Sequence, residues 1–343
     1  MNHKTELMTI LTFSQSYTLR MAMIDVCGQM VIMISKQTED DQRSEVAKPK
    51  MDPFLDELEK RFLDINPYCR ARVMQVYVKL CDLNVRLSKR RKTAARYAAQ
   101  SLLDKSSNVR RNAIKLISRL VETHPFTLFP DDQGTLSKER TERQLEEYDA
   151  QINALMPPEL EKPAPGEEAL DESMLQDATQ VEGAVPAPNK DPNDYTEEEK
   201  IAILKAIEAK AAKEAADAEA EARREQLDPL QKYRKYYQDM LKFIEVVDDA
   251  ADDVMQLLAA KNKSEVIEAM DFFVTIHAYK IPNAKNGIRR MLRLIWTKGN
   301  SDEGKGVQTH LIECYKHLFF AADPRFDRDR TDDYIKNLSL IHI

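Results

Sequence analysis

The residues best placed to do chemistry in this chain are cations. Lys89, Arg90, Arg91, Lys92 and Arg96 crowd one short segment, and Arg110 and Arg111 follow in "LLDKSSNVRRNAIKLISRLVETHP", residues 102–125. A ridge of five or six such groups would neutralise the phosphates of a nucleic-acid duplex. Binding of that kind is driven by counterion release and falls steeply with salt. A second candidate is "GNSDEGKG", Gly299 to Gly306, which comes close to a loop whose backbone N–H groups cradle a nucleotide's phosphates. Gly306, however, stands where a metal-holding Ser or Thr is required, and "RRMLRLIW" before it has helical rather than strand spacing. A turn between helices is therefore expected there. The acids of "DPRFDRDRTDD" lack the central glycine and closing glutamate of a calcium loop. The six histidines show no ligand spacing, and none pairs with a cysteine at zinc-finger distance. No nucleophile, base and orienting acid fall together. No catalytic residue, cofactor or metal site is expected, and the chain reads as a non-enzyme.

What must position the cations is a repeated helix. In 102–125 the apolar residues Val109, Ala113, Ile114, Leu116, Ile117, Leu120 and Val121 have the spacing of one buried helical face. Forty residues earlier the same slots hold Cys69, Val73, Met74, Val76, Tyr77, Leu80 and Cys81. Fifty before that they hold Leu19, Met23, Ile24, Val26, Cys27, Met30 and Val31. Arg110, Arg70 and Arg20 follow the first slot in each copy, and Asp104 and Asp64 lie six residues before their arginines. A unit of about forty residues is the period of HEAT-type helical pairs, which stack because one pair cannot bury its stripe alone. The shared phase favours a structural role for Arg20, Arg70 and Arg110, pairing with Asp64 and Asp104 in the turns of stacked repeats. Arg111 has no equivalent, since Ala71 and Met21 fill its slot, so it joins Lys89, Arg90, Arg91, Lys92 and Arg96 as a DNA-binding candidate.

The bulk numbers agree with an all-α chain. Of 343 residues, 43% are hydrophobic and only 8 are glycine, and no alternating strand runs are evident. Four separated cysteines, each in an apolar stripe, read as buried thiols of a reducing compartment. No apolar run reaches the length of a membrane span, and no secretory signal is recognisable. Net charge is +8 over 1–125, −16 over 126–228 and +1 over 229–343. The expected architecture is a HEAT-repeat helical solenoid in two blocks separated by a long, partly disordered acidic linker. Its parts are basic repeats at 1–130, a linker at 131–228 with 156–194 disordered and a charged helix at 196–227, a second block at 229–322, and a connector with the start of another helix at 323–343. Asp52-Pro53 and Asp228-Pro229 read as helix starts, with proline at the first helical position. Helices are expected at 229–247, 249–260, 264–280, 283–297 and 303–321.

Four segments carry a resemblance: "LDINPYCRARVMQVYVKLC", "LLDKSSNVRRNAIKLISRLVETHPF", "KSEVIEAMDFFVTIHAYKIPNAKNGIRRMLRLIWTK" and "EGKGVQTHLIECYKHLFF". In this order they resemble the condensin complex subunit 1 family, the HEAT-repeat regulatory subunits of the first condensin. The resemblance implies a non-catalytic scaffold that binds the kleisin chain, contacts the SMC ATPase heads and holds double-stranded DNA weakly and salt-dependently in mitotic chromosome condensation. It places the chain in the nucleus and on mitotic chromosomes, and in the cytoplasm in interphase, with neither membrane nor small-molecule substrate as partner. It also implies that the chain is an internal stretch of a longer protein. A helical-repeat adaptor of transport or coat type is the alternative from periodicity alone, and a P-loop nucleotide binder the alternative from Gly299 to Gly306 alone.

Overall fold

The structure is a computed structural model that describes residues 14–37, 44–83, 87–127, 134–155, 197–296 and 302–319. Every regular element among the described residues is helical. In chain order they are α1 (Tyr17–Lys36), α2 (Ser44–Lys60), α3 (Pro67–Leu80), α4 (Ser88–Ser101), α5 (Ser107–Glu122), α6 (Lys138–Leu155), α7 (Glu197–Leu257), α8 (Lys263–Ala278), α9 (Ala284–Met291) and α10 (Asp302–Phe319). Short 3₁₀ turns, Arg61–Leu63 and Leu292–Trp296, follow α2 and α9.

Local chemistry sets several starts. Asn66 precedes Pro67 and its side chain accepts from the Tyr68 N–H, while Asn262 does the same for the Ser264 N–H. Each thereby satisfies an orphan donor of the first turn. Two proline readings are corrected. Pro49 and Pro53 both lie inside α2, and Pro229 lies inside α7, which runs unbroken where three helices, 196–227, 229–247 and 249–260, were expected. An interior proline removes one hydrogen bond and crowds the preceding turn. Both helices nevertheless continue because their stripes are held by packing: Met51, Leu55 and Leu58 in α2, and Tyr237, Met240, Ile244, Val247 and Val254 in α7, are all buried. The charged half of α7 is exposed over 221–226, as a solvated rod should be. Residues 156–194 and 323–343 lie outside the described residues.

The chain divides into two compact units: Met1–Arg143 with Tyr236–Ile343, and Gln144–Lys235. Nearly all of the expected first and second blocks thus falls into one unit. In it α1, α3, α5, α8 and α10 form a row, each packed on the next, so α8 follows α5 directly although the sequence between them is long. All seven template slots of α3 and of α5 are buried. Phe62, fully buried, lies against Tyr77 and Tyr97 with ring centroids 5.0 and 5.3 Å away, joining α3 and α4. In α1 the template is corrected at two slots: Leu19 and Val26 are exposed and, with Met33, form a stripe at seven-residue spacing. By length and composition α1 could also cross a membrane, against the expectation drawn from the apolar runs. Its other face, Met23, Ile24, Cys27 and Val31, is buried as in a core helix.

In the other unit, α6 and α7 meet through the Tyr148 and Tyr233 rings, 5.7 Å apart, and an Arg234–Asp149 ion pair.

Candidate functional site

Three arginines repeat one geometry. Arg70 donates through Nη1 to the carbonyls of Asp64 and Ile65, at 2.7 and 2.9 Å, closing the turn before its own helix. Its Nε and Nη2 reach forward to both carboxylate oxygens of Asp104, at 2.8 and 3.0 Å. Arg20 does the same, with Ser14 and Gln15 carbonyls behind and Asp64 ahead at 2.8 and 2.9 Å. Each aspartate also accepts from the N–H two residues on, Asn66 for Asp64 and Ser106 for Asp104. A forked guanidinium on a carboxylate is a strong, directional contact, and each one here fixes the register of adjacent repeats.

Arg110 follows the rule behind it, donating to the Asp104 and Lys105 carbonyls. Ahead of it there is no turn aspartate. The turn 258–262 has the same backbone pattern as 102–106, but Ala260 stands where Asp104 would be. Arg110 instead reaches Glu265 in α8, at 2.5 and 3.0 Å. Glu265 fills the slot held by Val109 and Cys69, and it is completely buried. The acid has moved from the turn into the first core position of the helix, and the ladder stays intact.

Burial alone would raise the Asp64 carboxyl, but hydrogen bonds from Arg20, the Asn66 N–H and Arg61 outweigh it and hold it below the usual Asp value. A carboxyl depressed in the folded state adds stability above its unfolded pKa of about 4, and that stability is lost as pH falls below it. Urea midpoints should accordingly drop between about pH 5 and pH 3, and Arg20→Leu, already less stable at neutral pH, should show a shallower acid limb. Equal slopes for both proteins would show that this pair does not set the acid limb.

The basic ridge does not form as expected. Arg90 is held by Asp52, Asp56 and Glu59, at 2.8, 2.6 and 3.2 Å. Arg91 turns inward and donates to the Leu120 and Thr123 carbonyls at 3.1 and 2.7 Å; burial lowers its pKa. Both therefore belong to the fold. Arg111 is half-buried, donating to Asn108 at 3.1 Å, and its Nε is buried without a hydrogen-bond partner. Its charge acts on Glu268 of α8, the carboxylate that Lys115 contacts at 3.2 Å. What remains in solvent is Lys89, Lys92 and Arg96, on one face of α4 at i, i+3 and i+7 spacing. Lys92 lies 3.5 Å from Asp239, and Arg96 sits 5.9 Å from the centroid of the Tyr97 ring.

The turn expected over Gly299 to Gly306 is partly helix: from Asp302 the chain is already in α10, and 297–301 lie outside the described residues. All four cysteines are free and buried. Burial pushes the Cys27 thiol up to about 11, and burial with the Asp271 and Glu313 carboxylates pushes Cys314 up to about 12. Neither is a nucleophile at neutral pH. One grouping was missed in the sequence. Asp271, His310 and Cys314 bring a carboxylate oxygen, a ring nitrogen and a sulfur within 4.8 Å of one another. The i,i+4 pair His310 and Cys314 was visible as helical spacing, but its third member comes from another helix.

No protein-family model matches the chain. Curated proteins do. It is 36% identical over 331 residues to condensin complex subunit 1 of Schizosaccharomyces pombe, covering 96% of this chain and 27% of that protein. The Saccharomyces cerevisiae protein of the same name is 31% identical over 94% of this chain and 26% of its own length. The Homo sapiens one is 24% identical over 95% and 28%. Among solved structures, one crystal structure of an engineered protein aligns over 92% of this chain and 99% of its own, at 10% identity and a TM-score of 0.31. The chain spans about a quarter of the length of the curated relatives it matches, and along nearly all of its own length it belongs to the condensin complex subunit 1 family.

Proposed function

We propose that this chain is part of a non-catalytic regulatory subunit of condensin, a scaffold that binds the kleisin chain and double-stranded DNA at mitotic chromosomes. The observation that carries the reading is the match to condensin complex subunit 1 along almost the whole chain. The row of stacked helices fits it, because such arrays present long surfaces to extended partners and hold no enclosed reaction site. Burial keeps the Cys27 and Cys314 thiols protonated, which fits a protein whose ATP hydrolysis belongs to the SMC heads.

The DNA face is assigned to Lys89, Lys92 and Arg96, with Arg111 as a half-buried flank. Arg90 and Arg91 are removed from it, since both are consumed by contacts within the fold. The test uses the complete subunit. Kleisin should co-purify with it, and DNA affinity should fall with salt. Changing Lys89, Lys92 and Arg96 together to alanine should reduce the log-log salt slope by about 0.9 for each phosphate no longer neutralised, about 2.7 in all, with the helical spectrum unchanged. Failure of kleisin to bind the intact subunit would reject the scaffold role, and an unchanged slope would reject the α4 face. Kleisin-free behaviour with cargo or coat proteins bound instead would favour the transport-type adaptor.

A further inference from the structure

The contact between α8 and α10 is closed by a set of donor atoms that the scaffold role does not require. His310 and Cys314 lie four residues apart on α10, so both side chains leave the same face of the helix. Asp271 meets them from α8. Its Oδ1 lies 2.7 Å from His310 Nε2 and 4.0 Å from Cys314 Sγ, so one carboxylate oxygen faces both other donors. Glu313 stands 3.7 Å from the other ring nitrogen of His310, Nδ1. Cys314 is buried at 5% exposure, while the Asp271 and His310 side chains remain 50% and 26% accessible. The group therefore has a buried floor and an open mouth.

We propose that Asp271, His310 and Cys314 form a binding site for a single divalent transition-metal ion, zinc above others. A sulfur, an imidazole nitrogen and a carboxylate oxygen make up a mixed set suited to that ion, whose bonds to them run from about 2.0 to 2.3 Å. Around a tetrahedral ion of that size the donors stand about 3.3 to 3.8 Å apart. The three atoms here, all within 4.8 Å, reach that arrangement by side-chain adjustment, with His310 Nε2 turning from Asp271 to the metal. On binding, the Cys314 S–H bond breaks, a sulfur–metal bond forms, and the proton leaves to solvent. Glu313 takes the role of the outer carboxylate that orients a ligating imidazole through its second nitrogen. Three protein ligands leave the fourth position to water or to a donor from a partner. Among the described residues no other trio of His, Cys, Asp and Glu donors comes together. The ion would clamp α8 to α10, and this inference does not depend on the condensin role.

Cobalt(II) serves as the optical probe, added to the metal-free 343-residue chain. One equivalent should produce a thiolate-to-cobalt charge-transfer band and the intense visible bands of a four-coordinate ion, and zinc should displace both. Cys314→Ser should abolish the charge-transfer band. Asp271→Asn, at an exposed position that leaves folding intact, should weaken zinc binding at least tenfold, and Glu313→Gln by about tenfold. Zinc should raise the melting temperature of the parent chain and not that of Cys314→Ser. Absence of the charge-transfer band from the folded parent chain, or zinc affinity unchanged in Asp271→Asn, would overturn the site.

Discussion

Glu265→Ala should cost about 3 kcal/mol of folding free energy, the largest loss expected from any single charge in the chain. Glu265 is wholly buried, and the Arg110 guanidinium that it holds is mostly shielded, at 21% exposure. Removing one member of a buried pair strands the other, a loss of about 3 to 5 kcal/mol, with the remaining exposure of Arg110 drawing the figure to the low end. A guanidinium is not deprotonated in proteins, so Arg110, once Glu265 is gone, keeps its charge and cannot escape by neutralising. The two other rungs supply a rescue. Glu265→Val restores an apolar residue to the slot of Val109 and Cys69, and Ala260→Asp restores the turn acid that Arg20 and Arg70 use. The double variant Ala260→Asp/Glu265→Val should recover at least half of the stability that Glu265→Val alone loses, read as urea midpoints. A double variant no more stable than Glu265→Val would mean that the third junction does not share the geometry of the first two.

Gly287→Ala should be the second severe change, lowering stability by about 3 kcal/mol, the upper end for adding a methyl to a packed core. A Cβ on Gly287 would lie 2.0 Å from the Phe273 ring edge. The ring is fully buried and fixed edge-on against Phe272, with centroids 5.3 Å apart, so it cannot swing aside. The glycine is there to let α9 approach α8. Shrinking the obstacle with Phe273→Leu in the Gly287→Ala background should cost less than the sum of the two single changes, since the sites touch. Gly306→Ala is the contrast. Nothing lies within 4 Å of a Cβ at that exposed helical position, so alanine should stabilise by up to about 1 kcal/mol. Thermal melts of the three single variants and the double would decide; a Gly287→Ala protein as stable as the parent would refute the close approach.

The match of sequence to structure was best where the physics is local. Periodicity of apolar residues depends only on the helix's own geometry, so the seven slots of α3 and α5 could be written down before any contact was known, while in α1 two of them, Leu19 and Val26, stay exposed. The backward half of each arginine contact is equally local, to carbonyls five and six residues earlier, but the sequence pointed only to the aspartates. Proline was misread for the converse reason. Its local preference for a helix start was plain at Pro53 and Pro229, but stripes buried on other helices overrode it.

Partners of charges are a different matter. Arg20 finds its acid 44 residues away, Arg70 finds its own 34 away, and Arg110 finds Glu265 155 residues away, beyond the acidic segment. The shared phase announced that acids would be met, but Glu265 sits in a slot where every other copy is apolar, so nothing near it in sequence marks its role. The basic cluster shows the same limit. Five consecutive or near-consecutive cations look alike in sequence, and only the packing of α4 on its neighbours sends Arg90 to three carboxylates and Arg91 into carbonyls, leaving Lys89, Lys92 and Arg96 in water. The sequence by itself determined an all-helical repeat and its phase, because those follow from backbone geometry within a few residues. Which ions pair, which stay free, and which donors meet as Asp271, His310 and Cys314 do was decided by the tertiary structure, because these depend on the stacking of helices far apart along the chain.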